Sequence, residues 1–346
     1  MRLPVLDTVS TIGLFFVIFI HLVPHMNSSL WNWKILDVEG VSFIIGQGGR
    51  FAVPFFFLSV GYYYGKSLLR GADPFTFLLL YGRKLLYVYI SWNLIYAITP
   101  PNFFHEFAQF RILSSMYGQL QNTYDWLINN NISVILCGTK RHLWFIMASL
   151  TGLAITSLFC KYNIARFLVP FGIVLYLIGL LGDSYSRSSI GLSLPFDTLV
   201  LLYSTIFIAV GRRLSMYHEN NKRLALSFFF GGALMHFAEI FYLKRMYDLD
   251  ALGHNFLLGT AFWGMGAFLL CLEYPNAGRN SFLEKIGKLT LGIYVSHALI
   301  IDALLPTRDL VTSLIWDLFK PVFVLLLSYG LCQGLTRNRI LAKFLT

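Results

Sequence analysis

Thr11-Ile-Gly-Leu-Phe-Phe-Val-Ile-Phe-Ile-His-Leu-Val23 carries the decision about the fold. The run is apolar apart from its threonine and one ionisable group, His21. Widened to residues 8–24 it is long enough to cross a bilayer as a helix. Pro24, His25 and Met26 follow it in place of a small-residue cleavage site, so the stretch is expected to remain as the first helix rather than to leave as a signal peptide.

The pattern repeats along all 346 residues, of which 56% are hydrophobic, 17% aromatic and 13% charged. Soluble domains carry about 25% charged residues. Apolar runs near 8–24, 46–65, 78–99, 142–160, 164–182, 196–214, 224–242, 253–272, 288–305 and 318–335 predict an all-α integral membrane protein of about ten transmembrane helices. Their connections are too short to hold a separate soluble core, so residues 1–346 are expected to form a single polytopic membrane domain. The longest connection, about 100–141, is rich in aromatics and asparagine and is expected to lie on the membrane surface or to cap a cavity.

Net charge is +10, which in a soluble chain would raise the question of nucleic acid. Here the cations flank apolar runs and set orientation instead. With the N-terminus inside, 17 of the 27 Lys and Arg fall on the inner side and ten outside, which predicts cytoplasmic N- and C-termini and no nucleic-acid partner. Cys137, Cys160, Cys271 and Cys332 form no CxxC or Cys/His spacing, so neither a zinc site nor a disulfide framework is expected.

An ionisable side chain at membrane depth costs about 2.5–3.5 kcal/mol on insertion scales, so each one needs a partner or a function. His21 stands about 13 residues, roughly 20 Å, into the first helix. A neutral imidazole there can take the proton of an attacking hydroxyl, or it can bridge two helices structurally. His25 follows at i+4 and could share its face. Arg50 opens Arg50-Phe-Ala-Val-Pro54; it either snorkels to the outer interface or clamps substrate oxygens. Arg83 and Lys84, with Lys66 and Arg70, form a cationic group at the inner face that could hold donor phosphates or simply flank the spans. His142 begins the fourth span just before Trp144, which fits an outer aromatic belt. His297 lies about nine residues, roughly 14 Å, into the ninth span, with Tyr294 one turn away. His236 and Glu239 could bond to each other. No nucleophile elbow, phosphate-cradling glycine loop or carboxylate metal cluster is present in the sequence.

In order, Asp7 with His21, Arg50-Phe-Ala-Val-Pro54 with Gly61-Tyr62, Arg83-Lys84, His142-Leu-Trp144-Phe145 and Leu291-Gly-Ile-Tyr294 with His297 resemble the membrane-bound acyltransferase family 3 across nearly the whole chain. The string Leu291-Gly-Ile-Tyr-Val-Ser-His-Ala-Leu-Ile-Ile301 and the closing Arg337-Asn-Arg339 look most like the enterobacterial common antigen O-acetyltransferase type. The resemblance implies a bacterial inner-membrane enzyme that moves an acyl group, expected to be acetyl, from cytoplasmic acetyl-CoA to a hydroxyl of a cell-surface polysaccharide or its lipid-linked precursor. It implies His21 as the essential histidine, Arg50 at the site, Arg83 and Lys84 toward the donor, and His142, Trp144, Tyr294 and His297 in support. No metal or prosthetic group is expected. Two positions depart from the family pattern: Ser10 stands where the family usually has arginine, and Val60 where it usually has serine before Gly-Tyr. The first departure admits an altered or inactive homologue. The rival reading is a transporter or flippase of a polar lipid or sugar that uses His21 and His297 as a proton relay.

Overall fold

The computed structural model describes residues 2–23, 34–35, 38–129, 135–305 and 314–345; His25 lies outside them. Helix α1, Pro4–Leu22, starts where Pro4 supplies a preset φ at a position whose N–H needs no partner. It runs through the middle of the bundle with Leu14 and Ile18 fully buried. After an antiparallel pair of two-residue strands, β1 (Lys34–Ile35) and β2 (Val38–Glu39), come α2 (Gly40–Gly48), α3 (Ala52–Leu68) and α4 (Pro74–Ile98). The Asp73 carboxylate caps α4, accepting from the Thr76 N–H at 2.9 Å.

The outer connection forms α5 (Phe103–Ala108) and α6 (Ile112–Asn129), and a 3-10 turn at Arg141–Leu143 leads into α7 (Trp144–Lys161). The remainder is α8 (Leu168–Gly182), α9 (Phe196–Leu202), α10 (Ser204–Tyr217), α11 (Lys222–Tyr247), α12 (Leu258–Glu273), α13 (Phe282–Gly287), α14 (Thr290–Leu304), α15 (Leu314–Thr336) and α16 (Arg339–Ala342).

The ten anticipated runs are mostly helical where described, the run 253–272 only from Leu258, and seven helices among the described residues are long and apolar enough to cross a membrane. These are Pro4–Leu22, Gly40–Leu68, Arg141–Lys161, Ala165–Gly182, Asp197–Tyr217, Lys222–Tyr247 and Ile315–Thr336. α12 and α14 are apolar but shorter, and α4 carries Arg83 and Lys84 in its middle. The second run breaks at Gly48-Gly49-Arg50, where the Arg50 N–H bonds the Gln47 carbonyl and the Ala52 N–H the Gly49 carbonyl. That break brings the Arg50 side chain inward.

Helices approach closely at small residues, as in membrane bundles generally. α3 and α10 cross where Gly61 lies on the Ile208 backbone and Gly211 on that of Leu58, leaving no room for a Cβ at either. Gly61 of the Gly61-Tyr62 pair is therefore a packing residue. α1 packs against α13, α14, α15 and α3, so a side chain near its end is enclosed by several elements. α6 rests on the end of α4, with Thr123 and Gln119 donating to the Ala97 and Tyr96 carbonyls. It exposes Leu113, Tyr117, Leu120 and Tyr124, which suits the membrane surface. Among the described residues of the 100–141 connection, Arg141 at its end lines the smaller of the two cavities below.

Candidate active site

Three helices from distant parts of the chain bring three imidazoles together. The His297 ring lies 5.3 Å from that of His21 and 5.0 Å from that of His142, and His21 and His142 are 6.2 Å apart, centroid to centroid. His297 is fully buried, and its Nδ1 contacts the Tyr294 carbonyl oxygen at 2.5 Å. A carbonyl only accepts, so Nδ1 carries the proton and the neutral ring presents a bare Nε2. Neither that Nε2 nor the Nε2 of His142 has a partner among the described residues. Tyr294 holds the other side by donating its hydroxyl to the His142 carbonyl. Among the described residues no group of His, Cys, Asp or Glu is arranged to hold a metal ion.

His21 differs from the other two in being exposed; together with His142 it lines a cavity of about 200 Å³. Arg50, Asp183, Asn255, Trp144, Tyr203 and Phe256 share that lining. Arg50 is anchored rather than snorkelling: its guanidinium donates to Asn255 Oδ1 at 2.7 Å and to the Leu252 carbonyl at 3.0 Å. The segment that holds it is fixed in turn, since Gln47 donates to the Ala251 carbonyl, Ser184 to that of Phe256 and Tyr176 to that of Leu257. Tyr203 donates to Asp183 at 3.1 Å. An open imidazole beside a fixed guanidinium is equipped to take a proton from a hydroxyl and to face the negative charge that develops when that oxygen attacks a carbonyl.

A second cavity, of about 570 Å³, lies beyond the rings of Phe56, Phe145 and Tyr294, which line both. Its lining holds five cations, Arg2, Lys66, Arg70, Lys84 and Lys288, against one carboxylate, Asp7, among the described residues. Arg2 pairs with Asp7 at 2.7 Å and Lys288 with Glu284 at 2.8 Å. Ser10 lies in this lining, beside Ser59 and Val60.

The structure separates readings that the sequence left open. Arg83 is exposed and lines neither cavity, whereas Lys84 does line the large one, because successive helical residues point about 100° apart. Trp144 is no outer belt residue; it turns into the small cavity, edge-on to Phe57 and Phe256. Arg50 points inward, as described. His236 and Glu239 do not bond to each other. His236 contacts the Thr260 hydroxyl at 2.8 Å, while Glu239 accepts from Tyr185 and from the Leu258 and Gly259 N–H groups at the start of α12. His21, Arg50, His142, Tyr294 and His297 converge as a group. Sequence reasoning missed Asp183, Asn255, Arg2 and Lys288. The first two sit at helix ends and turns without a motif, and the cations looked like ordinary flanks.

A polytopic helical membrane protein with paired cavities and a convergent histidine group is the class that these features define. The acyltransferase-domain family matches residues 4–335, and the chain belongs to that family, acyltransferase family 3. An Enterococcus faecalis protein named amino-acid racemase is 25% identical over 299 residues, which cover 82% of this chain and 40% of that protein. A second of the same name and organism is 27% identical over 196 residues, 57% of this chain and 24% of that protein. The chain thus spans less than half the length of either. No solved structure matches it.

Proposed function

We propose that this protein is an O-acyltransferase that moves an acetyl group from acetyl-CoA to a hydroxyl of a cell-surface polysaccharide or its lipid-linked precursor, in the bacterial inner membrane with both termini cytoplasmic. The observation that carries the reading is the open imidazole of His21 in a cavity shared with Arg50, one aromatic layer away from a cavity lined by five cations. In that orientation the cationic cavity faces the cytoplasm, where Lys84, Arg70, Lys66, Arg2 and Lys288 offer charge-assisted bonds to the donor's phosphates, each worth about 1.5–3 kcal/mol.

The acceptor hydroxyl enters the smaller cavity and gives its proton to His21. Its oxygen bonds to the thioester carbonyl carbon, the carbonyl oxygen takes up negative charge beside Arg50, and the C–S bond then breaks. The departing thiolate receives the proton from the His21 imidazolium, leaving CoA-SH and the ester. His142 and His297 pack beside the base, and Trp144 offers an aromatic face to the acceptor. Arg2 and Lys288 support donor binding even with serine at position 10.

Mass spectrometry of envelope glycans from cells with and without the gene tests the reaction: the reading predicts loss of a modification of about 42 Da, the net gain when an acetyl group replaces a hydroxyl hydrogen, and unchanged glycans reject it. Thermal stabilisation of the purified protein by acetyl-CoA separates the enzyme from a transporter, which has no use for an acyl donor.

A further inference from the structure

The two cavities share only Phe56, Phe145 and Tyr294 among the described residues. Reacting atoms must come within about 3–3.5 Å, and these rings are where a thioester held on the cationic side adjoins the cavity of His21. The rings are packed on one another: Phe56 and Phe145 are edge-to-face at 6.0 Å, and Phe145 and Tyr294 lie 5.3 Å apart. Each is also held from behind. Phe145 stacks on Phe57 at 4.6 Å, the Tyr294 hydroxyl bonds the His142 carbonyl, and the tip of Phe56 lies so close to α1 that a Cβ at Gly13 would come within 3.0 Å of it.

We infer that Phe56, Phe145 and Tyr294 form the acyl-length filter of the enzyme, passing a two-carbon acyl group from the donor cavity to the acceptor cavity and excluding chains of four carbons or more. This deepens the acyl-transfer reading and rests on it. The rings between the cavities have backs already in contact, so their parting to admit a chain displaces packed neighbours more the longer the chain, and close-packed interiors resist even one added methylene. A single methylene in a fitted pocket changes rates by about 10-fold or more. The bonds made and broken are the same for every donor; only passage of the chain differs.

The test supplies membrane vesicles that contain the protein with radiolabelled acetyl-CoA or butyryl-CoA and counts label fixed in glycan. The wild type is expected to prefer acetyl by about 10- to 100-fold, and Phe145→Ala and Phe56→Ala to reduce that preference to less than about threefold by gaining butyryl transfer. Stabilisation by acetyl-CoA reports that each variant is folded, and Phe145→Leu replaces any alanine variant that does not accumulate. A wild type that transfers both groups equally, a folded variant that keeps the wild-type preference, or a folded variant inactive with both donors overturns the filter. A wild type that fixes no label from either donor and is not stabilised by acetyl-CoA rejects acyl transfer itself, a separate outcome.

Discussion

The cation-lined cavity of about 570 Å³ is walled by five long cationic side chains and aromatic rings, whereas the histidine-lined cavity of about 200 Å³ is walled by polar groups that neighbours hold in place. Arg50 is bonded to Asn255 and Leu252, and Asp183 to Tyr203, while the His297 ring is oriented by the Tyr294 carbonyl. The large cavity can accommodate a long, charged molecule through many separate contacts. The small one has fixed geometry, which chemistry requires and binding does not. Damage to the small cavity should therefore remove turnover while sparing donor binding, and damage to the large one should do the reverse.

The sharpest break in that contrast is expected from Arg50→Ala. Loss of a group that faces developing negative charge lowers turnover by about 10²–10³-fold, measured as glycan acetylation rate, with acetyl-CoA affinity changed little. Neutralising Arg70 and Lys84 together is expected to weaken acetyl-CoA binding by about 10- to 100-fold, read by calorimetry, with turnover at saturating donor largely retained; unchanged affinity would remove these cations from the donor site. A smaller effect is expected at the Lys140–Asp302 ion pair, 2.6 Å long, which ties the turn before α7 to the end of α14 beside His142 and His297. Partly exposed pairs contribute roughly 1 kcal/mol or less, so Asp302→Asn should slow turnover only severalfold and lower the melting temperature slightly. The finest contrast, resting on the near-absence of an effect at Arg83, separates neighbours. Arg83→Gln should leave acetyl-CoA affinity within about twofold while Lys84→Gln alone weakens it about 10-fold; equal losses would mean that the split seen across α4 has no role in binding.

The helical course of the chain was legible because apolar runs of membrane length leave little choice of structure. The convergence of His21, Arg50, His142, Tyr294 and His297 was legible in part, since ionisable groups at depth stand out against lipid-compatible sequence. What the pattern did not disclose depends on rotation and on contacts between distant segments. Helical phase sends Lys84 to the cavity and Arg83 away from it. Arg50 is held by residues about 200 positions later, at Leu252 and Asn255, in a turn with no motif of its own. Trp144 follows the same logic: at a helix start the residue type fits an interface, and only the neighbouring Phe57 and Phe256 turn it inward. The partition into two cavities was not legible at all, because Phe56, Phe145 and Tyr294 come from three helices and each alone reads as core.

The most direct test replaces His21 by alanine and follows both properties in the same preparation. The account predicts that glycan acetylation falls by at least about 10²-fold, the range for loss of a general base, while acetyl-CoA still raises the melting temperature as it does for the wild type. Full acetylation by the His21→Ala protein would contradict it.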